Sequence, residues 1–280
     1  HVIEKMMGVK YTRIDNKLWH GEAQTYVVSD VASGQPLAQL YVDLYPRDGK
    51  YNHAAVWPLR GSATRLNRTP AAALVVNFDR NGLSLFASWH SRYAPAVERA
   101  KSFIAASPLK SMTVTWKEDV RHWHPGQAWI WEPGGLGVFD PGINALSIVT
   151  HILPKAVFLS GAVLEFPENR AAPIAADLTF TNADRLPVRA VFDWRQTGKQ
   201  SWDIEAVTEA GQMRLADGGA RLFVNDALAF EAPEAEYPGL YARFAEIIKA
   251  GMSDADISPL VHVADAFMLG RRKIVEAFHD

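Results

Sequence analysis

Residues 157–224 have the sequence VFLSGAVLEFPENRAAPIAADLTFTNADRLPVRAVFDWRQTGKQSWDIEAVTEAGQMRLADGGARLFV. Short apolar and β-branched runs alternate here with turns rich in Gly, Asn and Asp, a pattern that predicts successive strands. Strands that follow one another with so little chain between them form a large open antiparallel sheet, and one face of such a sheet must be covered. We expect five or six strands, at 157–166, 174–180, 188–195, 201–207, 212–215 and 220–224.

Helices that would cover this sheet are predicted on both sides of it in the sequence. Residues 94–106 have a helical period, and two apolar series with the same period follow the strands. A further helix is expected to open at Asp140–Pro141, because Asp is a favoured N-cap and Pro a favoured first helical residue. Strands are expected at 83–89 and 112–120. The apolar residues of the two closing helices are Leu240, Phe244, Ile247 and Ile248, then Leu260, Val263, Phe267, Leu269 and Ile274.

The first part of the chain, residues 10–79, contains only strand and turn patterns. Strands 23–30 and 35–44 flank the turn 31–34, which predicts a hairpin. Strands are also predicted at 54–59 and 71–78, and the unbroken apolar run of the second predicts cover on both of its faces. The predicted fold class is α+β, with a large open antiparallel sheet covered on one face by helices and preceded by a small β-rich segment. The expected domains are 1–82 and 83–280.

The composition is that of an ordinary globular protein. The 280 residues are 48% hydrophobic and 21% charged, with a net charge of −2, which does not suit a large nucleic-acid surface or a polybasic membrane anchor. Cysteine is absent, so disulfides, thiolate zinc sites and Cys nucleophiles are excluded. The sequence shows neither a membrane-spanning apolar run nor a secretory signal. We expect a cytoplasmic protein with no nucleic-acid or membrane partner.

The first segment resembles a known group of enzymes. The sequence YVDLYPRDGKYNHAA at 41–55, followed by AALVVNF at 72–78, is similar to the thimet-oligopeptidase-like zinc peptidases, and the resemblance covers about residues 5–82. The chemistry of that family requires H-E-x-x-H, two imidazoles one helical turn apart beside a carboxylate. None of the nine His residues is followed by Glu, so this segment is expected to be an inactive fragment without its metal.

A second resemblance begins at residue 83 and continues to residue 280. The sequences LFASWHSRY at 85–93, WKEDVRHWHPG at 116–126 and EPGGLGVFDPGIN at 132–144 resemble bacterial galactose and arabinose 1-dehydrogenases, members of the glucose-fructose oxidoreductase and inositol dehydrogenase superfamily. This resemblance implies a substrate-binding sheet domain, with a remnant of a nucleotide domain at about 83–110. It also implies NAD(P)-dependent oxidation of the C1 hydroxyl of D-galactose or L-arabinose to a lactone, and a possible homo-oligomer formed through the sheet face.

The resemblance places Asp140 and Asn144 at the reacting carbon. Four residues apart on a helix, they share one face and reach the same hydroxyls. Asp140 is then the candidate that accepts the proton of the anomeric hydroxyl. The alternative is that Asp140 is only an N-cap, where the positive end of the helix would lower its pKa.

Six further residues are assigned to the substrate site by the same resemblance. Aromatic faces pack on the apolar patches of a sugar ring, while charged groups bind its hydroxyls, so this residue mix suits a sugar. The alternatives are a core or rim position for the tryptophans, a solvated loop for the residues near 90, and a metal site at His122 and His124. We expect no metal. The six residues are Glu118, Trp123, His124, Trp202, His90 and Arg92.

The dinucleotide signature of the second family is missing. That family binds NAD or NADP through a G-x-G-x-x-G turn and carries a catalytic Lys in a Glu-Lys-Pro segment, and neither occurs here. The cluster Gly135-Leu136-Gly137 is followed by Val138 and Phe139 without a third Gly. We therefore interpret the chain as a junction of two partial genes, with cofactor binding and activity impaired. The alternatives are a non-catalytic sugar-binding or oligomerisation module and an inactive zinc oligopeptidase remnant.

Overall fold

The structure, a computed structural model, describes residues 8–50, 55–60, 69–76 and 84–279. It divides into two compact units, His1–Leu83 and Ser84–Asp280. The first unit holds a small sheet, and the second holds a large sheet with helices. The predicted α+β fold class is therefore confirmed.

The first unit is a five-stranded sheet in the order β1-β2-β3-β5-β4. Its β3 and β5 pair in parallel and its other neighbours antiparallel. Between β2 and β3 the Asp30 carboxylate accepts bonds from the Ser33 amide and hydroxyl, which holds the predicted hairpin turn. The strands are β1 Val9–Ile14, β2 Gln24–Asp30, β3 Pro36–Asp43, β4 Ala55–Arg60 and β5 Ala71–Val75.

Burial along β5 differs from the prediction for its sequence. Ala71 and Ala73 are buried, whereas the residues between and after them are half-buried. The expected cover on both faces is therefore wrong for the described residues, because β5 lies inside a sheet of which one face is only partly covered. Residues 77 and 78 of the predicted strand lie outside the described residues.

The second unit is built on a nine-stranded sheet in the order β13-β12-β11-β10-β6-β9-β8-β7-β14. Most neighbours are antiparallel, as predicted, whereas β6 with β9 and β7 with β14 run parallel. The strands are β6 Leu109–Lys117, β7 Phe158–Pro167, β8 Ala175–Thr181, β9 Val188–Asp193, β10 Ser201–Thr208, β11 Gly211–Ala216, β12 Arg221–Val224, β13 Ala227–Glu231 and β14 Arg271–Val275.

Three helices of the second unit lie on one face of this sheet. The helix α3 contacts β6, α5 contacts β7, and α1 contacts β11. Their apolar sides join alternate strand residues in one core, in which Phe139 of α3 meets Phe192 of β9 edge to face. The helices are α1 Val97–Ala105, α2 Val120–Trp123, α3 Phe139–Ile152, α4 Glu236–Ala250 and α5 Ser258–Leu269.

Three elements differ from the sequence prediction. Residues 84–89 form only a single bridge, between Phe86 and Asp254, instead of a strand, and Leu83 lies outside the described residues. The second closing helix ends at Leu269, and Ile274 lies on β14, because the backbone is extended from Gly270 onward and residues 271–275 pair with β7. The helix α4 packs against residues 90–93 instead of the sheet.

The helix α3 begins slightly earlier than expected. Its first residue is Phe139 and its N-cap is Val138, so Asp140 is the second residue of the helix and does not cap it. Gly137, with φ +55°, makes the turn into the helix, where the Val138 amide donates to the carbonyl of Pro173. The Asp140 side chain is consequently free of a capping bond within its own first turn.

Candidate functional site

A cavity of about 480 Å³ opens in the second unit where β6, β10 and the start of α3 meet. A larger groove of about 620 Å³ lies between loops elsewhere in the same unit, but none of the predicted site residues, all within the described part, lines it. Seven of the eight predicted residues line the smaller cavity. They are His90, Glu118, Trp123, His124, Asp140, Asn144 and Trp202.

The residues that follow β6 form one side of the cavity. Glu118 follows the last residue of the strand, and its amide donates to the Asp193 carbonyl of β9 at 3.0 Å. Asp119 then caps the short helix α2, with its carboxylate accepting from the Arg121 amide. This turn follows the end of the central strand β6 and brings Trp123 and His124 to the cavity.

Glu118 is buried, with 3% of its surface accessible. Its Oε2 accepts from Trp202 Nε1 at 2.8 Å, and its Oε1 accepts from Trp194 Nε1 at 3.2 Å. His124 Nε2 lies 3.2 Å from the same Oε1. Such a buried carboxylate is tolerated only because several donors surround it.

His124 lies between two carboxylates. Its Nε2 faces Glu118, and its Nδ1 lies 3.6 Å from Asp140 Oδ2. Burial works against protonation of His124, but the two carboxylates together outweigh it and raise its pKa above the ordinary value. The imidazole therefore links the buried end of the cavity to the acid on α3.

Asp140 and Asn144 occupy successive turns of α3 and both line the cavity. Burial raises the pKa of Asp140; the His124 charge lowers it, and the Glu118 charge raises it further. The alternative that Asp140 is an N-cap with a lowered pKa is wrong, because Val138 holds that position. A carboxylate with a raised pKa is a better proton acceptor than an ordinary one.

Aromatic rings form one wall of the cavity. Trp202 stacks on Trp116, with ring centroids 6.0 Å apart, and meets Trp123 at 4.9 Å. Trp116 is buried, whereas Trp123 is 41% accessible at the rim. Trp116 thus has a core position and Trp123 a rim position, as the alternative for the tryptophans expects. The same rings also give the cavity a flat apolar surface.

Arg92 lies outside the cavity. Its guanidinium donates to the Ser147 carbonyl at 2.9 Å, to Thr150 Oγ1 at 3.0 Å and to Asp256 Oδ2 at 2.5 Å. Three acceptors from α3 and the segment before α5 thus hold Arg92 away from its neighbour His90, which does line the cavity. The expected place of Arg92 beside the substrate does not match this geometry.

Four Ser, Asp or Glu residues that line the cavity were not predicted from the sequence. Asp217 has a left-handed backbone with φ +51° and pairs with Arg221. Glu236 contacts His90 Nδ1. The Asp-Gly-Gly turn between two predicted strands was a visible signal for Asp217, and the motif at 85–93 contains Ser91, whereas Glu234 and Glu236 gave no local signal. The four residues are Ser91, Asp217, Glu234 and Glu236.

The glycines nearest to a dinucleotide signature contact the protein itself. A Cβ added to Gly135 would lie 2.4 Å from the Ile130 carbonyl oxygen, and one added to Gly137 would lie 2.3 Å from the Pro173 carbonyl oxygen. At both positions the space beside the glycine is taken up by neighbouring protein backbone. These residues do not fit the NAD or NADP that the sequence resemblance implies.

Neither a group of metal ligands nor a membrane-spanning helix occurs among the described residues. Over residues 8–50, 55–60, 69–76 and 84–279, no three His, Cys, Asp or Glu side chains are grouped so that they could hold a metal ion. None of the helices in that same part of the chain has the length and apolar character needed to cross a membrane.

Comparison with known proteins gives different relatives for the two parts of the chain. The model of Peptidase family M3 matches residues 1–91. A thimet-like oligopeptidase of Dictyostelium discoideum is 39% identical over 82 residues, which are 28% of this chain and 12% of that protein.

The larger part is similar to sugar dehydrogenases. Galactose 1-dehydrogenase of Pseudomonas fluorescens is 48% identical over 188 residues, 67% of this chain and 62% of that protein. The structure of D-galactose-1-dehydrogenase from Rhizobium etli matches with 73% identity and a TM-score of 0.69, over 71% of this chain and 63% of that one. A 3-ketoreductase of Actinomadura kijaniata, in complex with NADP and TDP-benzene, shares the fold at 14% identity and a TM-score of 0.58, over 69% of this chain and 65% of that one.

The chain thus spans less than two thirds of the length of the dehydrogenases it matches. The sequence motifs, the nine-stranded sheet and these identities all indicate that the larger part of the chain is similar to sugar dehydrogenases. Residues 83–280 resemble the C-terminal part of the galactose and arabinose 1-dehydrogenases, and residues 5–82 resemble a fragment of the thimet-oligopeptidase-like zinc peptidases.

Proposed function

We propose that residues 83–280 bind an aldose, D-galactose or L-arabinose, as the substrate-binding domain of an NAD(P)-dependent sugar 1-dehydrogenase. One observation carries the proposal: a single cavity is lined by indole rings and by carboxylates. Stacked indoles suit the apolar face of a pyranose, and carboxylates accept bonds from its hydroxyls. The unit boundary at Leu83 and the similarity to galactose 1-dehydrogenase support this assignment.

In this proposal the chain's own residues bind the sugar and receive one proton. Asp140 accepts the proton of the C1 hydroxyl, for which its raised pKa suits it. Asn144, one turn further along α3, orients the same end of the ring. His124 lies beside Asp140, with Nδ1 3.6 Å from Oδ2, and His90 also lines the cavity. Arg92 is left out, because its donors are used inside the protein.

Completion of the oxidation requires that the hydride of C1 pass to an acceptor while the C1 oxygen loses its proton. A nicotinamide cofactor supplies that acceptor in dehydrogenases. Gly135 and Gly137, the described glycines nearest to a dinucleotide signature, do not provide its pyrophosphate cradle. We therefore propose that the 280-residue chain binds sugar and is impaired in turnover.

The test measures binding and turnover separately. Quenching of tryptophan fluorescence, with Trp202 and Trp123 at the cavity, reports the binding of galactose or arabinose without any cofactor. Absorbance of NADH or NADPH reports turnover, with the Rhizobium etli dehydrogenase as the positive control. We expect saturable binding with turnover far below that of the control. Absence of binding would refute the sugar site, and turnover equal to the control would refute the impairment.

We also propose that the uncovered face of the nine-stranded sheet pairs with a second copy. The residues on this face include Thr113, Asp177, Arg189 and Val207, which are exposed or partly exposed although they lie on central strands. Sedimentation over a range of concentrations tests it. A dimer dissociated by Val207→Glu is expected, and a monomer at all concentrations would contradict it.

A further inference from the structure

Glu118 lines the sugar cavity, yet it is buried and surrounded by donors of the protein itself. Trp202 Nε1 lies 2.8 Å from Oε2, and Trp194 Nε1 and His124 Nε2 each lie 3.2 Å from Oε1. Trp194 is fully buried, so its indole has no role as a sugar contact. Three donors therefore occupy most of the acceptor capacity of this carboxylate before any ligand arrives.

We infer that Glu118 is a positioning residue that fixes the ring plane of Trp202 and the orientation of His124, while other groups of the cavity bind the sugar. This inference rests on the proposed sugar binding. It differs from the role that the sequence resemblance implies for Glu118, which is a direct hydrogen bond to the substrate.

The anchoring of Trp202 is the first part of the argument. Its indole stacks on Trp116 and makes a tilted contact with Trp123, and apolar ring contacts of this kind alone allow the ring to slide or tilt. The 2.8 Å bond to Glu118 fixes one edge of the ring inside the protein. A flat wall for a pyranose requires one defined ring plane, because the sugar gains contact only with a surface already in place.

The orientation of His124 is the second part. With Nε2 directed to Glu118, Nδ1 is directed toward Gln127 Oε1 at 3.4 Å and Asp140 Oδ2 at 3.6 Å. Both ring nitrogens then have an acceptor, so the ring has one favoured orientation. A glutamine at 118 has one acceptor oxygen and one amino group, so at least one donor would face another N–H.

The decisive experiment compares Glu118→Gln with the wild-type chain on galactose and its 2-, 3-, 4- and 6-deoxy derivatives. A positioning role predicts that all five sugars bind roughly tenfold more weakly, with the ratios between them unchanged within about twofold. A direct contact predicts that the penalty for one missing hydroxyl disappears in the variant. The control is Glu132→Gln, an exposed carboxylate on a nearby loop, which should leave every affinity unchanged.

A second variant keeps the test independent of the folding of the first. Trp202→Phe retains a ring face and removes the N–H, so it breaks the same contact from the other side. We expect uniform weakening again, and in the double variant Glu118→Gln should cost several-fold less than in the wild type. Full additivity of the two effects would overturn the inference.

The outcomes for the two proposals are distinguishable. A wild-type chain that binds no sugar refutes the proposed function, whereas a wild-type chain that binds, with one deoxy ratio collapsing in Glu118→Gln, refutes only the inference. Near-ultraviolet circular dichroism of the sugar-free protein tests the anchoring alone. It should change in both variants and not in Glu132→Gln, and an unchanged spectrum would count against the inference.

Discussion

Asp140 is an acid whose charge is disfavoured by its surroundings. Its side chain is 28% accessible, and burial raises its pKa. A carboxyl with a raised pKa in the folded state stabilises the protein fully at pH values below the unfolded pKa, near 4. That contribution is lost as the pH rises through the folded pKa, so at neutral pH the ionised group costs stability.

Replacement Asp140→Asn should therefore stabilise the folded chain at neutral pH while removing the proton acceptor. We expect the melting temperature at pH 7 to rise by about 2 °C, an effect on the order of 1 kcal/mol. The gain should vanish below about pH 4, where the wild-type carboxyl is already protonated. Thermal melts across this pH range measure it, with Glu168→Gln at an exposed position just after β7 as the control. A variant equally stabilised at every pH would contradict this account.

Gly137 allows two segments of backbone to meet just before α3. Its φ is +55°, and a Cβ there would lie 2.3 Å from the Pro173 carbonyl oxygen. Gly126 also has a left-handed φ, +70°, but its Cβ would meet no atom within 4 Å. The two positions therefore separate backbone strain from steric overlap.

We expect Gly137→Ala to lower the free energy of unfolding by about 3 kcal/mol, the sum of backbone strain and overlap. Gly126→Ala should cost about 1 kcal/mol, from strain alone. Urea unfolding of both variants measures the difference. Equal costs would show that the overlap at Gly137 is relieved by a small shift of residue 173.

At the scale of elements, α4 shows that neighbouring apolar residues can have different roles. Ile247 is fully buried, whereas Ile248 is 56% accessible. The exposed side of α4 also carries Tyr237, Tyr241 and Phe244, and it begins at the cavity with Glu236. The helix therefore packs along a narrow line against residues 90–93 instead of covering a sheet.

Ile247→Ala should lower the free energy of unfolding by about 3 kcal/mol, because it leaves a cavity in a packed site. Ile248→Ala should change it by less than about 0.5 kcal/mol, since that side chain is already largely in water. Chemical denaturation of the two variants measures the contrast. A loss of similar size for both would mean that the exposed side of α4 is covered in solution.

Local patterns predicted most elements of the second unit, because strand alternation and helical spacing are properties of neighbouring residues. Tertiary pairing decided the rest. Residues 271–275 fit a helical spacing through Ile274, but β7 offers them an edge with which to pair. The strand β13 was missed, although the Asn225-Asp226 pair before it is a turn signal in the sequence. Both residues have a positive φ in the structure, as a tight hairpin turn requires.

Residues of the candidate site were predictable only where they belong to a recognisable sequence motif. The motif at 116–126 gave Glu118, Trp123 and His124, and the structure brings them to one cavity. The role of Arg92 could not be predicted, because its acceptors come from residues 147, 150 and 256, far away in the sequence. Glu236 was missed for the same reason, since its partner His90 lies 146 positions away.

At the scale of the whole molecule, the two compact units should unfold as two cooperative transitions. Asp43 is buried in the first unit and accepts bonds from Arg47 and Trp19, so Asp43→Asn should lower only one transition. Leu178→Ala, in the core of the second unit, should lower only the other. Differential scanning calorimetry of the full chain measures both. A single transition shifted by either variant would show that the units unfold together.

The strand β14 pairs in parallel with β7, although more than a hundred residues separate them in the chain. During synthesis on the ribosome, the outer edge of β7 therefore remains unpaired until residues 271–275 have emerged. An unpaired strand edge attracts other nascent chains. Yield in the cell should consequently depend on how fast translation proceeds beyond β7 and on chaperones that shield that edge.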